Sequence, residues 1–283
     1  MNVLIVFGIL ILTFVRLIGI IVSVDFYYDL KSNTYIYLTF AWSLWFFSGI
    51  FALLYQLESN RLLQEIFLFM NYLFGPLSLL FLLAGLSSYY LKISPNKILY
   101  ASLILIITPF IVYITLGLIF VSIYSRIIIF FIFLILFLLP NFKFKKFKEK
   151  IGRSIRWYYV TFVSIAIYIP IQIFLFIGSN FYGIYTSENV KIIIIGYVSI
   201  ILTTILIIAY TIHLEYNITY EQKKELKDKY SHDLGNILQA IEFSHFLSIS
   251  DNNLNDEDLK ETHDIIKKKF KEASETLKKI RKL

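Results

Sequence analysis

Long apolar stretches, separated by short polar connections, fill the first three quarters of the chain. Seven of them are long enough to cross a bilayer, which takes roughly 20 apolar residues in a helix. They lie at 3–24, 35–57, 64–88, 98–118, 121–140, 157–178 and 191–213. The fourth and fifth are separated only by Gly117 to Arg126, and Arg126 is the single charge between 98 and 142. Two spans with a tight turn therefore fit better than one long helix.

The pattern changes after His213, where a charged helical tail begins. Apolar residues then recur in steps of three and four, which marks one face of a helix; they are Leu226, Tyr230, Leu234, Ile237, Leu238 and Ile241. Residues 248–255 interrupt this pattern with Asp251-Asn252-Asn253, a turn composition. A second helix is predicted from Asn255 or Asp256, with a heptad-like stripe at Leu259, Thr262, Ile266, Phe270, Ala273, Leu277 and Ile280.

Two helices joined by a short turn form an antiparallel hairpin with one apolar stripe on each helix. Such a hairpin is too thin to bury both stripes, whereas two copies in a four-helix bundle would bury them. We therefore predict an all-α membrane protein with seven transmembrane helices in a membrane region, 1–214. A cytoplasmic antiparallel hairpin, 215–283, is expected to follow and to dimerise into a four-helix bundle.

Composition supports a membrane protein. Hydrophobic residues make up 58% of the chain and charged residues 17%, which is too apolar for a soluble domain to cover. Residues 1–214 hold 14 Lys/Arg and 6 Asp/Glu, and the remainder holds 13 and 14. The net charge of +7 thus belongs to the membrane region and needs no nucleic acid to explain it. The chain has no cysteine, which excludes disulfides and thiolate chemistry.

The basic residues predict the orientation of the spans. With the N-terminus outside, ten of them fall on the inner side: Lys31, Lys92, Lys97, Lys143, Lys145, Lys146, Lys148, Lys150, Arg153 and Arg156. Only Arg61, Arg126 and Lys191 fall on the outer side. The positive-inside rule then puts the N-terminus outside and the C-terminal tail in the cytoplasm. We expect a multi-pass protein of the cell membrane.

A few polar residues lie within the apolar stretches. Arg16 is expected either to pair with Glu65 or to extend its guanidinium toward the inner head groups, and their different depths favour the second arrangement. Asn71 and Gln172 are expected either to contact a ligand or to link helices, of which the second role is commoner.

A histidine motif in the tail carries the candidate chemistry. His232 is followed by Asp233 and, four residues later, by Asn236. The helical phase puts His232 about 200° from Tyr230 and Leu234, away from the apolar stripe, and puts Asn236 one turn along on the same face. An imidazole beside a carboxylate and an amide suits phosphoryl acceptance, because one ring nitrogen attacks while the carboxylate holds the proton on the other.

The motif His232-Asp233-x-x-Asn236 resembles the H-box of sensor histidine kinases, and the likeness covers roughly residues 215–283. It implies that His232 is the phosphoacceptor, Asp233 the general base and Asn236 a phosphatase or positioning residue. The seven spans are similar to such sensor regions in number alone. Many family members have proline after the asparagine, where this chain has Ile237, and Gly235 is expected to supply the local flexibility instead.

The resemblance also implies a cofactor and partners. ATP and Mg²⁺ are expected only through a catalytic domain that is missing from these residues or separate from them, because no phosphate-binding glycine motif occurs. No cofactor and no metal site are expected in this chain. Expected partners are a second copy, a response-regulator receiver domain, an ATP-binding kinase domain in cis or in trans, and the lipid bilayer, but no nucleic acid.

Two other functions stay open at this stage, as does the question whether the chain is itself an enzyme. One is a non-catalytic seven-span receptor whose hairpin is a scaffold or receives phosphate from another kinase. The other is a transporter with a coiled-coil dimerisation tail, although charged residues, which transport pathways usually need, are scarce within the spans.

Overall fold

Helices make up all the regular structure in the described part of the chain. The computed structural model describes residues 3–142, 144–178, 190–250 and 256–280. Its helices are α1 (Val3–Leu30), α2 (Asn33–Leu57), α3 (Arg61–Ser88), α4 (Pro95–Leu116), α5 (Leu118–Phe142), α6 (Phe144–Ile151), α7 (Ile155–Gly178), α8 (Val190–Ser250) and α9 (Asp256–Ile280). A short 3-10 turn, Gly152–Ser154, precedes α7. The all-α prediction is confirmed.

Seven segments in the described ranges are long and apolar enough to cross a membrane. They are Val3–Tyr28, Asn33–Leu57, Arg61–Ser88, Pro95–Leu116, Leu118–Asn141, Ile155–Phe174 and Ile193–Asn217. Their number matches the prediction, and their apolar character is that of a multi-pass membrane protein. The exposed surface of these helices is rich in large apolar side chains, as a lipid-facing surface requires.

A single residue separates the fourth and fifth spans. Gly117 ends α4 with a φ of 89°, a conformation that favours glycine, and its N–H donates to the carbonyls of Val112 and Tyr113. Helix α5 begins at the next residue, so the expected tight turn is present. The placement of Arg126 in this connection was wrong, because Arg126 lies within α5 and is half-buried.

The core of the membrane unit forms around α2. Leu38 of α2 is fully buried in a cluster with Leu82 of α3, Phe133 of α5, Ile165 of α7 and Ile207 of α8. Close helix contact also depends on glycine, since a Cβ built on Gly19 of α1 would lie 2.5 Å from the ring of Trp42. In a membrane, where lipid tails are as apolar as leucine, such close packing is what favours helix association.

Two of the polar residues within the spans link neighbouring helices. The Ser48 hydroxyl of α2 donates to Asn71 Oδ1 of α3 across 2.6 Å, and both residues are buried. The Gln172 amide of α7 lies 3.5 Å from the Ser199 hydroxyl of α8, to which it donates. Asn71 and Gln172 thus have the helix-linking role that was the commoner expectation.

Arg16 does not extend to the head groups as expected. Only 5% of it is exposed, and its Nη1 donates to the Trp45 carbonyl across 2.8 Å. Its guanidinium also lies over the Trp45 ring, 5.0 Å from the centroid. The alternative partner, Glu65, lies 3.5 Å from Arg61 instead. A carbonyl and an aromatic face on α2 therefore stabilise the buried cation.

The chain divides into two compact units, Met1–Glu215 and Tyr216–Leu283. The first contains the seven spans, and the second contains the histidine motif and α9. The predicted interruption at 248–255 begins too early, because residues 248–250 belong to α8, and its turn residues Asp251–Asn253 lie outside the described residues. The antiparallel pairing of the tail helices and their dimerisation stay predictions.

Candidate functional site

His232 lies on the exposed face of α8 within the second unit. Its side chain is 75% exposed, whereas Tyr230, Leu234, Ile237 and Ile241 are each half-buried. These four belong to the predicted apolar stripe. The helical phase therefore accounts for the position of the histidine, which faces solvent and is open to approach by another molecule.

Two polar side chains lie beside the same nitrogen of the His232 ring. Asn236 Nδ2 lies 3.3 Å from His232 Nδ1, which is the one-turn spacing of residues four apart on a helix. Asp233 Oδ1 lies 4.0 Å from the same nitrogen. Neither contact involves Nε2. The arrangement distinguishes the two ring nitrogens, because both polar neighbours lie beside Nδ1.

The proton on the imidazole decides which nitrogen is nucleophilic. A carboxylate beside Nδ1 favours a proton on that nitrogen and leaves the lone pair on Nε2. In the structure the Asn236 amide presents Nδ2 to Nδ1, and its oxygen would accept from a proton on Nδ1 only after the amide rotates by 180°. Because the contact between His232 and Asp233 is exposed and 4.0 Å long, it contributes little to the stability of the fold.

Gly235 lies on the same side of α8 as His232, three residues along. A Cβ built on Gly235 meets no described atom within 4 Å, so sterics do not require glycine there. Glycine in the interior of a helix costs about 1 kcal/mol relative to alanine. Glycine therefore weakens α8 at this position, and the flexibility expected of Gly235 stays a prediction.

Helix α9 leaves large apolar side chains exposed. Phe270 is 58% exposed and Leu277 is 44% exposed, whereas Ala273 between them is buried. All three belong to the predicted stripe, of which the side chains of Leu259, Thr262 and Ile280 lie outside the described set. On the polar side, the Lys269 ammonium donates to Glu272 across 2.8 Å, and this hydrogen bond lowers the pKa of the Glu272 carboxyl.

Buried polar residues surround the point where the membrane unit ends. The Tyr89 hydroxyl donates to Glu215 Oε2 across 3.4 Å and lies 3.3 Å from the Tyr35 hydroxyl. Glu215 is only 3% exposed. Burial, with a smaller effect of Tyr210, raises the pKa of the Tyr89 hydroxyl, so it stays protonated and able to donate to the carboxylate.

His213, two residues before Glu215, contacts the turn that precedes α7. The Ser154 hydroxyl donates to the His213 carbonyl across 3.1 Å and lies 2.9 Å from Nδ1 of its ring. The ring also packs beside Trp157, with 5.7 Å between centroids. The last turn of the membrane part of α8 is therefore bound to α3 and to the start of α7. Sequence reasoning missed these contacts, because the partners are 59 and 126 residues apart.

No family model, curated protein or solved structure matches this chain. Within the described ranges, no group of three or more His, Cys, Asp or Glu side chains is placed to hold a metal ion.

Proposed function

We propose that the chain is a membrane-bound sensor histidine kinase of a two-component system. In this proposal, His232 accepts a phosphoryl group and passes it to an aspartate of a response-regulator receiver domain. The observation that carries the proposal is the exposed imidazole, with Asp233 and Asn236 both beside its Nδ1. The membrane unit would then be the sensor region.

The arrangement suits attack by Nε2 on the γ-phosphorus of ATP held with Mg²⁺ by a kinase domain, in cis or in trans. The Nε2–P bond forms as the bond from phosphorus to the ADP oxygen breaks, and ADP leaves. Asp233 stabilises the proton on Nδ1 while the ring carries positive charge and then accepts that proton as the general base. Asn236 orients the ring, and its amide later positions the water that removes the phosphoryl group.

Exposed apolar residues on α9 support the proposed homodimer. Phe270 and Leu277 would lose contact with water in a four-helix bundle made from two hairpins. Burying a side chain of this size contributes about 1.5–3 kcal/mol. Dimerisation would also bring His232 of one copy near the kinase domain of either copy.

The basic residues support an orientation with the N-terminus outside and the tail in the cytoplasm. Ten of them lie in or beside the first, third and fifth connections between spans, which follow α1, α3 and α5. The other connections have only Arg61 and Lys191. Contacts of Tyr35, Tyr89 and Glu215 bring the first and third connections to the same end of the bundle as the end of the membrane unit. The positive-inside rule assigns that end to the cytoplasm.

The decisive experiment is phosphorylation of the full chain in liposomes by an added histidine-kinase ATP-binding domain with γ-labelled ATP. We expect acid-labile, alkali-stable label that is lost in His232→Ala and kept in the matched control His263→Ala. Asp233→Asn should slow labelling, and Asn236→Ala should slow loss of the label. Persistence of the label in His232→Ala would refute the assignment. Labelling from a phosphorylated receiver domain, but not from ATP, would favour a phosphotransfer scaffold.

A further inference from the structure

An uncharged crevice lies between α3, α5, α7 and the membrane part of α8. It is narrow, with a cavity volume of about 40 Å³, and it is partly open to the surroundings. Aromatic rings dominate its walls, among them Phe137, Tyr158, Phe162 and Tyr210, and none of the described lining residues is charged. Such a lining suits a hydrocarbon chain and disfavours an ionic group.

The basic helix α6 closes one end of this crevice. Its Phe147 is 1% exposed and lies between the rings of Tyr90 and Tyr158, at centroid distances of 5.2 and 4.8 Å. Lys145 and Lys148 lie on the opposite, exposed side of the helix. Helix α6 is therefore amphipathic, with its apolar side against the crevice and cations on the other.

The position of α6 puts these cations at a membrane surface. It lies between the candidate spans Leu118–Asn141 and Ile155–Phe174. Residues 143–156 contain seven Lys/Arg and a single acid, Glu149. Lys143 and the side chains of Lys146, Lys150 and Arg153 lie outside the described residues. Of the other three, Lys145 and Lys148 lie on α6 and Arg156 lies on α7, and all three are exposed. A basic surface segment attracts anionic head groups.

We propose that α6 and the crevice together bind an anionic phospholipid of the surrounding bilayer. The end of one acyl chain lies in the aromatic crevice, and the phosphate lies beside Lys145 and Lys148. An acyl chain is already in hydrocarbon when it is in the bilayer, so the crevice selects by shape and the lysines select by charge. This site is independent of the function proposed for His232.

Photoreactive lipids test the site directly. The full chain in nanodiscs is labelled with phosphatidylglycerol or phosphatidylcholine that carries a diazirine near the end of one acyl chain, or with a diazirine fatty acid. We expect phosphatidylglycerol to label the crevice walls of α5 and α7 at least about fivefold more than phosphatidylcholine does. Label from the fatty acid alone would overturn the assignment to a phospholipid.

Paired variants separate the contributions of charge and shape. Lys145→Gln with Lys148→Gln should reduce crevice labelling roughly 10- to 30-fold, since each lysine near the surface contributes about a fivefold preference for anionic lipid. Lys223→Gln with Lys224→Gln, on the exposed tail, is the control. Leu136→Trp fills the crevice and should also reduce labelling, whereas Leu103→Trp on the exposed side of α4 should not. Equal labelling by both phospholipids, or labelling unchanged by the lysine pair, would overturn the proposal.

Discussion

Replacing Gly235 with alanine tests the link between local helix stability and the chemistry of His232. The added methyl group meets no described atom within 4 Å, so neither a clash nor a new contact should alter the outcome. The change then expresses the full difference in helix propensity, about 1 kcal/mol in favour of alanine. That free energy corresponds to about a fivefold lower population of locally opened helix.

This stabilisation is measured by hydrogen exchange of the backbone amides over residues 230–242. The exchange is followed by mass spectrometry on the full chain in liposomes. We expect exchange about fivefold slower in Gly235→Ala than in the parent protein. The control is Gln239→Ala, an exposed position one turn farther along α8, where the propensity changes little. Unchanged or faster exchange in Gly235→Ala would refute the reasoning, because it would mean that the methyl group meets a neighbour in the assembled protein.

Gly235→Ala also tests whether flexibility of α8 at this position helps His232 to accept a phosphoryl group. If the weak point beside His232 lets the ring approach the phosphoryl donor, Gly235→Ala should slow labelling of His232 while it slows exchange. Slower exchange with an unchanged labelling rate would separate the two effects. Gly235 would then be dispensable for phosphoryl acceptance, contrary to the expectation that it replaces the flexibility of a proline kink.

Two further predictions concern the membrane unit and the helix that leaves it. Ser48→Ala removes the donor to buried Asn71 and should lower the free energy of unfolding in detergent by about 0.6–1.7 kcal/mol. The control is Thr115→Ala, which removes an exposed hydroxyl bonded within its own helix and should change the free energy of unfolding little. Equal losses in the two variants would contradict the helix-linking role of Asn71. Inserting one to four residues after Lys227 should change phosphorylation of His232 with the helical period, about 100° per residue, and a flat response would refute signalling through the phase of α8.

The spans were predictable because their signal is local and strong. Each is a run of about 20 or more residues with few charges, and length and hydropathy alone identify it. Arg126 was misplaced because a lone arginine between two apolar runs looks like a connection from sequence. In the structure, Gly117 alone makes the turn and α5 continues through Arg126. The burial of Arg16 against Trp45 was missed for a different reason, since it depends on how α1 and α2 pack.

At the candidate site, too, local contacts were predictable from the sequence and distant ones were not. The geometry at His232 depends on residues within four positions on one helix, so the period of the helix was enough to place Asn236 beside the ring. Pairing of α8 with α9 depends on contacts between residues distant in sequence. The apolar stripes on the two helices therefore predict this pairing without establishing it. Contacts between connections far apart in sequence, such as Tyr89 with Glu215, leave no periodic pattern and were not anticipated.

Glu215 changes the picture of where a signal would leave the membrane unit. From sequence it is the first charged residue of the tail, yet it is buried and accepts a hydrogen bond from Tyr89. A buried carboxylate needs such partners, because burying an unpaired charge is costly. His213, two residues earlier, is bonded to Ser154. Under the proposed function, a shift of α3 or of the start of α7 must therefore displace the last turn of the membrane part of α8 or break these hydrogen bonds. Under that proposal, these contacts are where a movement of the membrane unit would reach α8.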